Sequence, residues 1–554
     1  MWTFRKPEKL HPVVEDARGK MFEGRMNRRE FVRIAALLGV AAGTAYTMAG
    51  LPTPAFAADD MPFPPDPEGA KEGGILKIAM EIQKMDDPAT YSWVEMSNQT
   101  RHILEHLAMT GPDNITRPML AQGWEASDDL KTWVFHLRPG VKWHNGDDFN
   151  ADDVIYNFTR WLDPDLGSSN VGLFGAMLEE VDGKKKMIDG AIEKVDDLTV
   201  KINLSQPVLS MPENLYNYPT AIVHRSFKPP FSDNPIGTGA YALAELTVGE
   251  RCILKKAEGA YWGGKVYLDE IHYYNFADDN ALTAFAGGDV DTIYEFGVEQ
   301  LEFAKALPGE ILTARTSQTL CLRFQVDQAP FDNLKVRQAI VKAVDNSKIL
   351  PLVFAEGGDV AENHHVAPIH PEYFKLPPLE RDVEGAKALL AEAGYPDGIE
   401  VTIDCGNTDG PWHQTVCEAM RDQVKDAGIT LNINVMPASK YWEIWDKTPF
   451  GATAWTHRPL GTMVLSLGYR SGVPWNETHF ASAEFDAALD AAEAVLDVEE
   501  RRAKMEPVEK ILQDACVMVQ PLYRPLYSIK GERVQNLQLH PTNYHQFNKV
   551  WVNA

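Results

Sequence analysis

The chain has 554 residues, 44% of them apolar and 24% charged, values of an ordinary globular protein with room for two or three cores. A formal net charge of −26 argues against nucleic acid or an anionic membrane surface as partner. Five cysteines (Cys252, Cys321, Cys405, Cys417 and Cys516) are too sparse and too odd in number for a disulfide scaffold, although Cys405 and Cys417 flank one loop and form the pair to test in an oxidising compartment.

In chain order, Asn27-Arg28-Arg29-Glu30-Phe31-Val32-Arg33 precedes an apolar, Ala/Gly-rich run from Ile34 to about Leu51. Ala55-Phe56-Ala57 then offers small residues at the two positions a signal peptidase reads. The paired arginines, with Phe31 two residues on, predict twin-arginine export. The run is barely of spanning length and is weakened by Gly and Thr, which disfavours a membrane anchor. Residues 1–57 are therefore expected to be a signal peptide, cleaved near Ala57/Ala58 to leave a chain free in a periplasm, without membrane insertion. Met26 is an alternative start. Residues 58–73 read as a Pro/Gly/acid linker.

A first strand is expected from Gly74 (GILKIAM). Lys131 to Leu137 (KTWVFHL) alternates and is rich in aromatic and β-branched residues, so it reads as a second strand. Pro139-Gly140 turns, Val141-Lys142-Trp143 extends, and Asn145-Gly146 closes with hairpin chemistry. Asn150, three residues before Asp153, caps a helix carrying Val154, Ile155, Phe158 and Trp161. The acids of DDFNADD read as a capped helix start on a solvated face, since an EF-hand's spacing and terminal Glu are missing. Pro235-Ile236-Gly237-Thr238-Gly239-Ala240-Tyr241 reads as a turn, because the Lys and the strand-loop-helix context of a phosphate loop are absent. Asp332 is expected to cap the helix of Leu334-Lys335-Val336-Arg337-Gln338-Ala339-Ile340. A further helix runs from Glu384 to Gly394.

These segments carry a resemblance. Leu120 to Leu162, Pro235 to Tyr241, Gly259 to Asp269, Ala284 to Asp291, Phe331 to Ile340 and Gly394-Tyr395-Pro396-Asp397-Gly398 occur in the order found in the extracytoplasmic solute-binding proteins, family 5. The chain is identified on them as a member of that family, which serves ABC importers of peptides, nickel and other solutes. The resemblance implies an α/β fold of the two-lobed periplasmic binding protein type (type II, cluster C-like), hinged between lobes. It further implies lobe I over 74–315, with an extra subdomain at about 100–221, lobe II over 318–519, and a return into lobe I over 520–554. The implied partners are the ligand and the permease subunits of the inner membrane. A monomer is expected, with no cofactor and no catalysis.

Peptide binders of the family carry a Trp near the end of a second-lobe strand and, three residues on, an Asp that pairs with the ligand's α-amino group. Trp455 matches the Trp; the Asp position holds Arg458. A cation there repels an ammonium group and suits bidentate capture of a carboxylate or phosphate. The resemblance implies a peptide or peptide-like solute. Arg458 leads to the expectation of a ligand that presents an anionic group to it, or of a peptide-like ligand with a blocked amine. The alternative is a non-peptide acidic solute such as an opine-like conjugate or acidic sugar derivative. Tyr91 and Trp93 after the first strand, Trp412 and His413 after a Gly-containing loop, and Tyr469 and Arg470 are the other ligand-binding candidates. Gln325 stands where the family usually has Asn, which leaves peptide-backbone recognition open.

Two other function classes find less support in the sequence. His364, His365 and His370 could hold a metal or metal complex, but Pro368 breaks the segment and no H-E-x-x-H exists. A hydrolase would need a nucleophile constellation, and no G-x-S-x-G, Walker loop or C-x-x-C is present.

Overall fold

The computed structural model describes residues 10–51, 63–181, 183–276, 278–354, 357–495 and 497–553. One twelve-stranded sheet runs through both lobes. On the first-lobe side, Ile75–Ala79 pairs in parallel with Glu270–Tyr274 and with Thr292–Ile293. On the second-lobe side, Ile399–Cys405 pairs in parallel with Ile429–Val435 and with Phe450–Trp455.

Two antiparallel strands join the lobes. Glu310–Phe324 pairs over its first half with Leu522–Lys530, shifts register between Arg315 and Gln318, and then pairs from Thr319 to Phe324 with Phe450–Trp455. The shift lets a single long strand leave one sheet direction and enter another. Alternation builds the second lobe: Ile399, Val401, Ile403 and Cys405 point inward along their strand. They pack there with Val416 and Met420 of the helix Trp412–Val424.

A separate antiparallel sheet of Ala121–Ala126, Thr132–Leu137, Thr199–Asn203 and Ile192–Asp196 lies within the first-lobe sequence. Trp133, Phe135 and Leu137 of the expected strand are fully buried. The Asn145-Gly146 turn forms, Gly146 at φ 92° and its N–H on the Trp143 carbonyl. Asn150 caps Ala151–Trp161 in a reciprocal capping box with Asp153. Asp153 is not on a solvated face: it is fully buried and accepts from Trp143 Nε1 at 3.1 Å, because the helix start is pressed against the hairpin. Gly237 and Gly239 pass so close to the Ile103 and His102 carbonyls that a Cβ would lie 1.8 and 2.3 Å from them. That is the physical need behind the turn.

Three further expectations are corrected or bounded. The cap of Leu334–Lys342 is Asn333, whose side chain accepts from the Lys335 N–H, and not Asp332. Cys405 and Cys417 are unbonded, as are the other three cysteines, and all five are buried. The cleavage point at Ala57/Ala58 lies outside the described residues.

The N-terminal segment forms helices Pro12–Phe22, Arg28–Leu37 and Ala42–Met48. The second buries Phe31, Val32, Ile34 and Leu37 and ties Arg33 to Glu30 and to Glu213 of the body at 2.9 Å, while Arg28 and Arg29 stay exposed. Among the described residues no helix is long and apolar enough to cross a membrane.

Candidate functional site

Strand ends, helix starts and loops from both lobes meet around one cleft cavity. The first lobe supplies Ser92 to Glu95, Tyr218, Tyr294 and Glu295; the second supplies Asp409, Trp442, Trp445, Thr453 to Thr456, Arg458 and Trp475. Gln318 and Arg524 enter from the two joining strands.

The walls are aromatic. Trp93 and Trp442 face each other with centroids 4.9 Å apart, and Trp475 stands 5.7 Å from Tyr218 and 5.9 Å from Trp455. The Trp455 indole is locked from behind. Its Nε1 donates to Glu477 at 2.7 Å, and the same buried carboxylate accepts from Arg323 Nε at 2.8 Å and from the Thr453 hydroxyl. Arg323 also donates to the Thr448 and Trp445 carbonyls, which fixes the Trp445 turn.

Arg458 lines the cavity with 2% of its surface exposed. Its Nη1 donates to the Thr456 hydroxyl and to the His457 carbonyl, its guanidinium carbon lies 5.2 Å from the Tyr218 ring, and its Nε makes no hydrogen bond. Among the described residues no carboxylate lies within 4.0 Å of it, unlike the buried Arg323 and Arg524, which pair with Glu477 and Glu295. The loop that carries it is pinned to the register shift: Ser317 N–H donates to His457 Nδ1 at 3.0 Å, and His370 Nε2 donates to the Arg458 carbonyl at 3.1 Å.

The opposite charge gathers around Arg524. This guanidinium donates to both oxygens of Glu295, at 2.7 and 2.9 Å, and lies 4.0 Å from Asp409. Burial pushes Glu295 up to about 7 despite Arg524, and pushes Asp409 and Glu95 upward too, Glu95 well above the ordinary carboxylate range.

Of the eight candidate residues, Trp93, Trp455 and Arg458 line the cavity. Trp412 and His413 sit behind its wall: Trp412 lies 5.3 Å beneath the Arg524 guanidinium and donates to the Asp409 carbonyl, while His413 is fully buried. Tyr91 is buried beside Ser92 and does not line the cavity. Tyr469 bonds His365 Nδ1 at 2.8 Å inside the second lobe. Arg470 is ion-paired with Asp490 and Glu493 in a separate depression. Gln325 is turned to the Asp446 carbonyl and His479, away from the cavity.

His364, His365 and His370 do not converge. His364 meets Glu362, His365 meets Tyr469, and His370 bridges the Ala367 N–H and the Arg458 carbonyl. Among the described residues no group of three or more His, Cys, Asp or Glu side chains is placed to hold a metal ion.

Glu95, Glu295, Trp442, Trp445, Trp475 and Glu477 were not found from the sequence. Trp442 and Trp445, three apart after the short helix Ala438–Tyr441, carried the one visible signal, an aromatic pair on one turn. The acids arrive singly from distant segments and leave no pattern.

The family model for the bacterial extracellular solute-binding proteins, family 5 (middle), matches residues 116–468. Heme-binding protein A of Haemophilus influenzae is 28% identical over 477 residues, covering 79% of this chain and 84% of its own. The periplasmic oligopeptide-binding protein OppA of the same organism is 27% identical over 483 residues, covering 80% and 88%. Among solved structures, AgaA from A. tumefacien R10 in complex with agropinic acid superposes with a TM-score of 0.77 at 24% identity, over 87% of this chain and 99% of its own. Two lobes joined by paired strands around a closed cleft are the architecture of these proteins, and with the match spanning more than half its length, the chain belongs to the bacterial extracellular solute-binding proteins, family 5.

Proposed function

We propose that this protein is the periplasmic binding component of an ABC importer, which captures a peptide or peptide-like small solute by lobe closure and delivers it to the permease. Arg458 is the observation that carries the reading of the cargo. A buried cation without a carboxylate partner is costly, and a ligand anion is the group that would satisfy it. The aromatic walls supply the contact area and exclude water. Trp93 and Trp455 serve as walls, while Trp412 and His413 hold Arg524 and the Asp409 loop in place.

The division into lobe I (74–315), lobe II (318–519) and a return over 520–554 is part of this proposal, supported by the register shift between Arg315 and Gln318. So are the monomeric state and the export of the chain by residues 1–57. A non-peptide acidic solute shares the anionic end and is favoured by the same Arg458; agropinic acid in the AgaA structure is of that kind.

Native mass spectrometry of the protein purified from its periplasm, followed by release of the bound molecule, tests the proposal. A stoichiometric small molecule with a carboxylate or phosphate is expected, and an Arg458→Ala variant should come without it. Cargo lacking any anionic group would overturn the role of Arg458.

A further inference from the structure

The acids at the far end of the cavity have no use in the reading above. Glu95 lies in the first turn of the helix Val94–Thr100, Glu295 follows Thr292–Ile293, and Asp409 follows Ile399–Cys405, so one helix start and two loops, from both lobes, bring carboxylates to one place. One cation, Arg524, lies among them, and its short bonds are both to Glu295. Asp409 is 4.0 Å away with 21% of its side chain still exposed, and among the described residues no cationic group lies within 4.0 Å of Glu95. Both keep their remaining exposure in a cleft that closure removes from water.

A second, independent observation shows that the same cavity is incomplete. Arg458, more than nine-tenths buried, is aimed into it with Nε unbonded and no carboxylate in reach. The cavity therefore presents an unmatched positive end and an unmatched negative end, with the Trp93–Trp442 pair as wall. The position at which relatives are expected to read an α-amino group is occupied here by Arg458 itself, so an amine on the cargo must be read elsewhere.

We propose that Glu95 and Asp409, backed by the Glu295–Arg524 pair, form a cation subsite, and that the cargo is a compact zwitterion with its amine or guanidine there and its anion on Arg458. This rests on the reading of Arg458 given above. A ligand with only the anion would leave the carboxylate end desolvated and unpaired; a ligand with only the cation would do the same to Arg458. Selectivity arises from that double requirement. Burial raises all three acids, Glu295 to about 7, and a ligand ammonium beside them would favour their ionised forms.

The test is calorimetry on the mature protein, stripped of co-purified ligand, with three probes: alanyl-phenylalanine, its N-acetyl derivative and its C-terminal amide. The free dipeptide should bind, with acetylation and amidation each weakening it 30-fold or more. Glu95→Gln should weaken the dipeptide at least tenfold and leave the acetylated probe unchanged, and Asp409→Asn should act in the same way. Unaltered thermal unfolding shows that each variant folds. An acetylated probe that binds as tightly as the dipeptide, or silent Glu95 and Asp409 variants, would overturn the cation subsite and leave Arg458 standing. An amide that binds as tightly as the acid, or a silent Arg458→Ala, would instead overturn the reading beneath it. No binding of any probe would overturn both.

Discussion

Trp93 of the first lobe and Trp442 of the second meet across the cleft with centroids 4.9 Å apart and planes at 43°, so two rings on opposite sides of the hinge make one contact. An aromatic pair of this geometry adds about 1 kcal/mol beyond its buried area. The contact spans the cleft, so separating the lobes would break it. Trp442→Ala should therefore weaken ligand binding roughly fivefold or more without changing global stability by a comparable amount. Calorimetry beside thermal unfolding separates the two, and an equal loss in both would mean that the pair serves the fold and not closure.

Glu477 is predicted to matter more for folding. Its carboxylate is shared by Arg323, Thr453 and Trp455 in a fully enclosed site. Glu477→Ala leaves the Arg323 guanidinium buried and without its ion pair, a loss of about 3–5 kcal/mol. Urea unfolding should show it as a fall in midpoint at constant slope. A change below about 1 kcal/mol would mean that Arg323 finds compensation from the Thr448 and Trp445 carbonyls it already uses.

Glu477 also marks where the sequence ceased to be readable. The strand Thr132–Leu137 and the Asn150 cap are local, their partners lying within a few residues, and periodicity and cap chemistry reveal both. The second-lobe Trp455 was visible because a strand end followed by a distinctive loop carried it. Glu477 joins residues 154 and 22 positions away, and the cavity acids Glu95, Glu295 and Asp409 come from one helix start and two loops. An isolated Glu on a loop has no spacing to betray it. Tyr469 and Arg470 show the opposite failure: they look like pocket residues by type, yet the helix Gly461–Gly468 turns them into the body of the lobe.

All five cysteines are buried as thiols, Cys405 and Cys417 packing in the same second-lobe core and Cys405 donating to Asn407 Oδ1 at 3.5 Å. The native protein should be inert to an aromatic disulfide reagent, and five thiols should titrate after unfolding in denaturant. Three would show that a bond between the neighbouring pair forms in the compartment from which the protein was purified.

Arg33 lies buried between Glu30 and Glu213, with Glu213 pushed upward by burial against the pull of Arg33. In a chain that retains its N-terminal segment, Arg33→Ala strands the Glu213 carboxylate beneath the helix Arg28–Leu37. That helix should then detach. Limited proteolysis should cut within residues 10–51 in the variant and spare them in the parent chain; equal resistance would show that the apolar contacts of Phe31, Val32, Ile34 and Leu37 suffice.

Glu295 sets a pH dependence whose sign can be worked out. Desolvation, the largest cause, holds its folded value at about 7, against about 4.3 for an unperturbed Glu. Between those values the folded, ligand-free protein carries a proton that the unfolded chain lacks. Its contribution to stability is fully present below about pH 4.3 and is lost as pH rises through about 7. The ligand-free protein should lose thermal stability over that window, and Glu295→Gln, which cannot titrate, should flatten the loss. Ligand affinity should move the opposite way, because a cation on the ligand prefers the ionised acids. Binding of a zwitterion should tighten from pH 5 to pH 8 and release protons, seen as a heat that differs between buffers of different ionisation enthalpy. Affinity that weakens as pH rises would place the ligand's cation away from Glu295, Glu95 and Asp409.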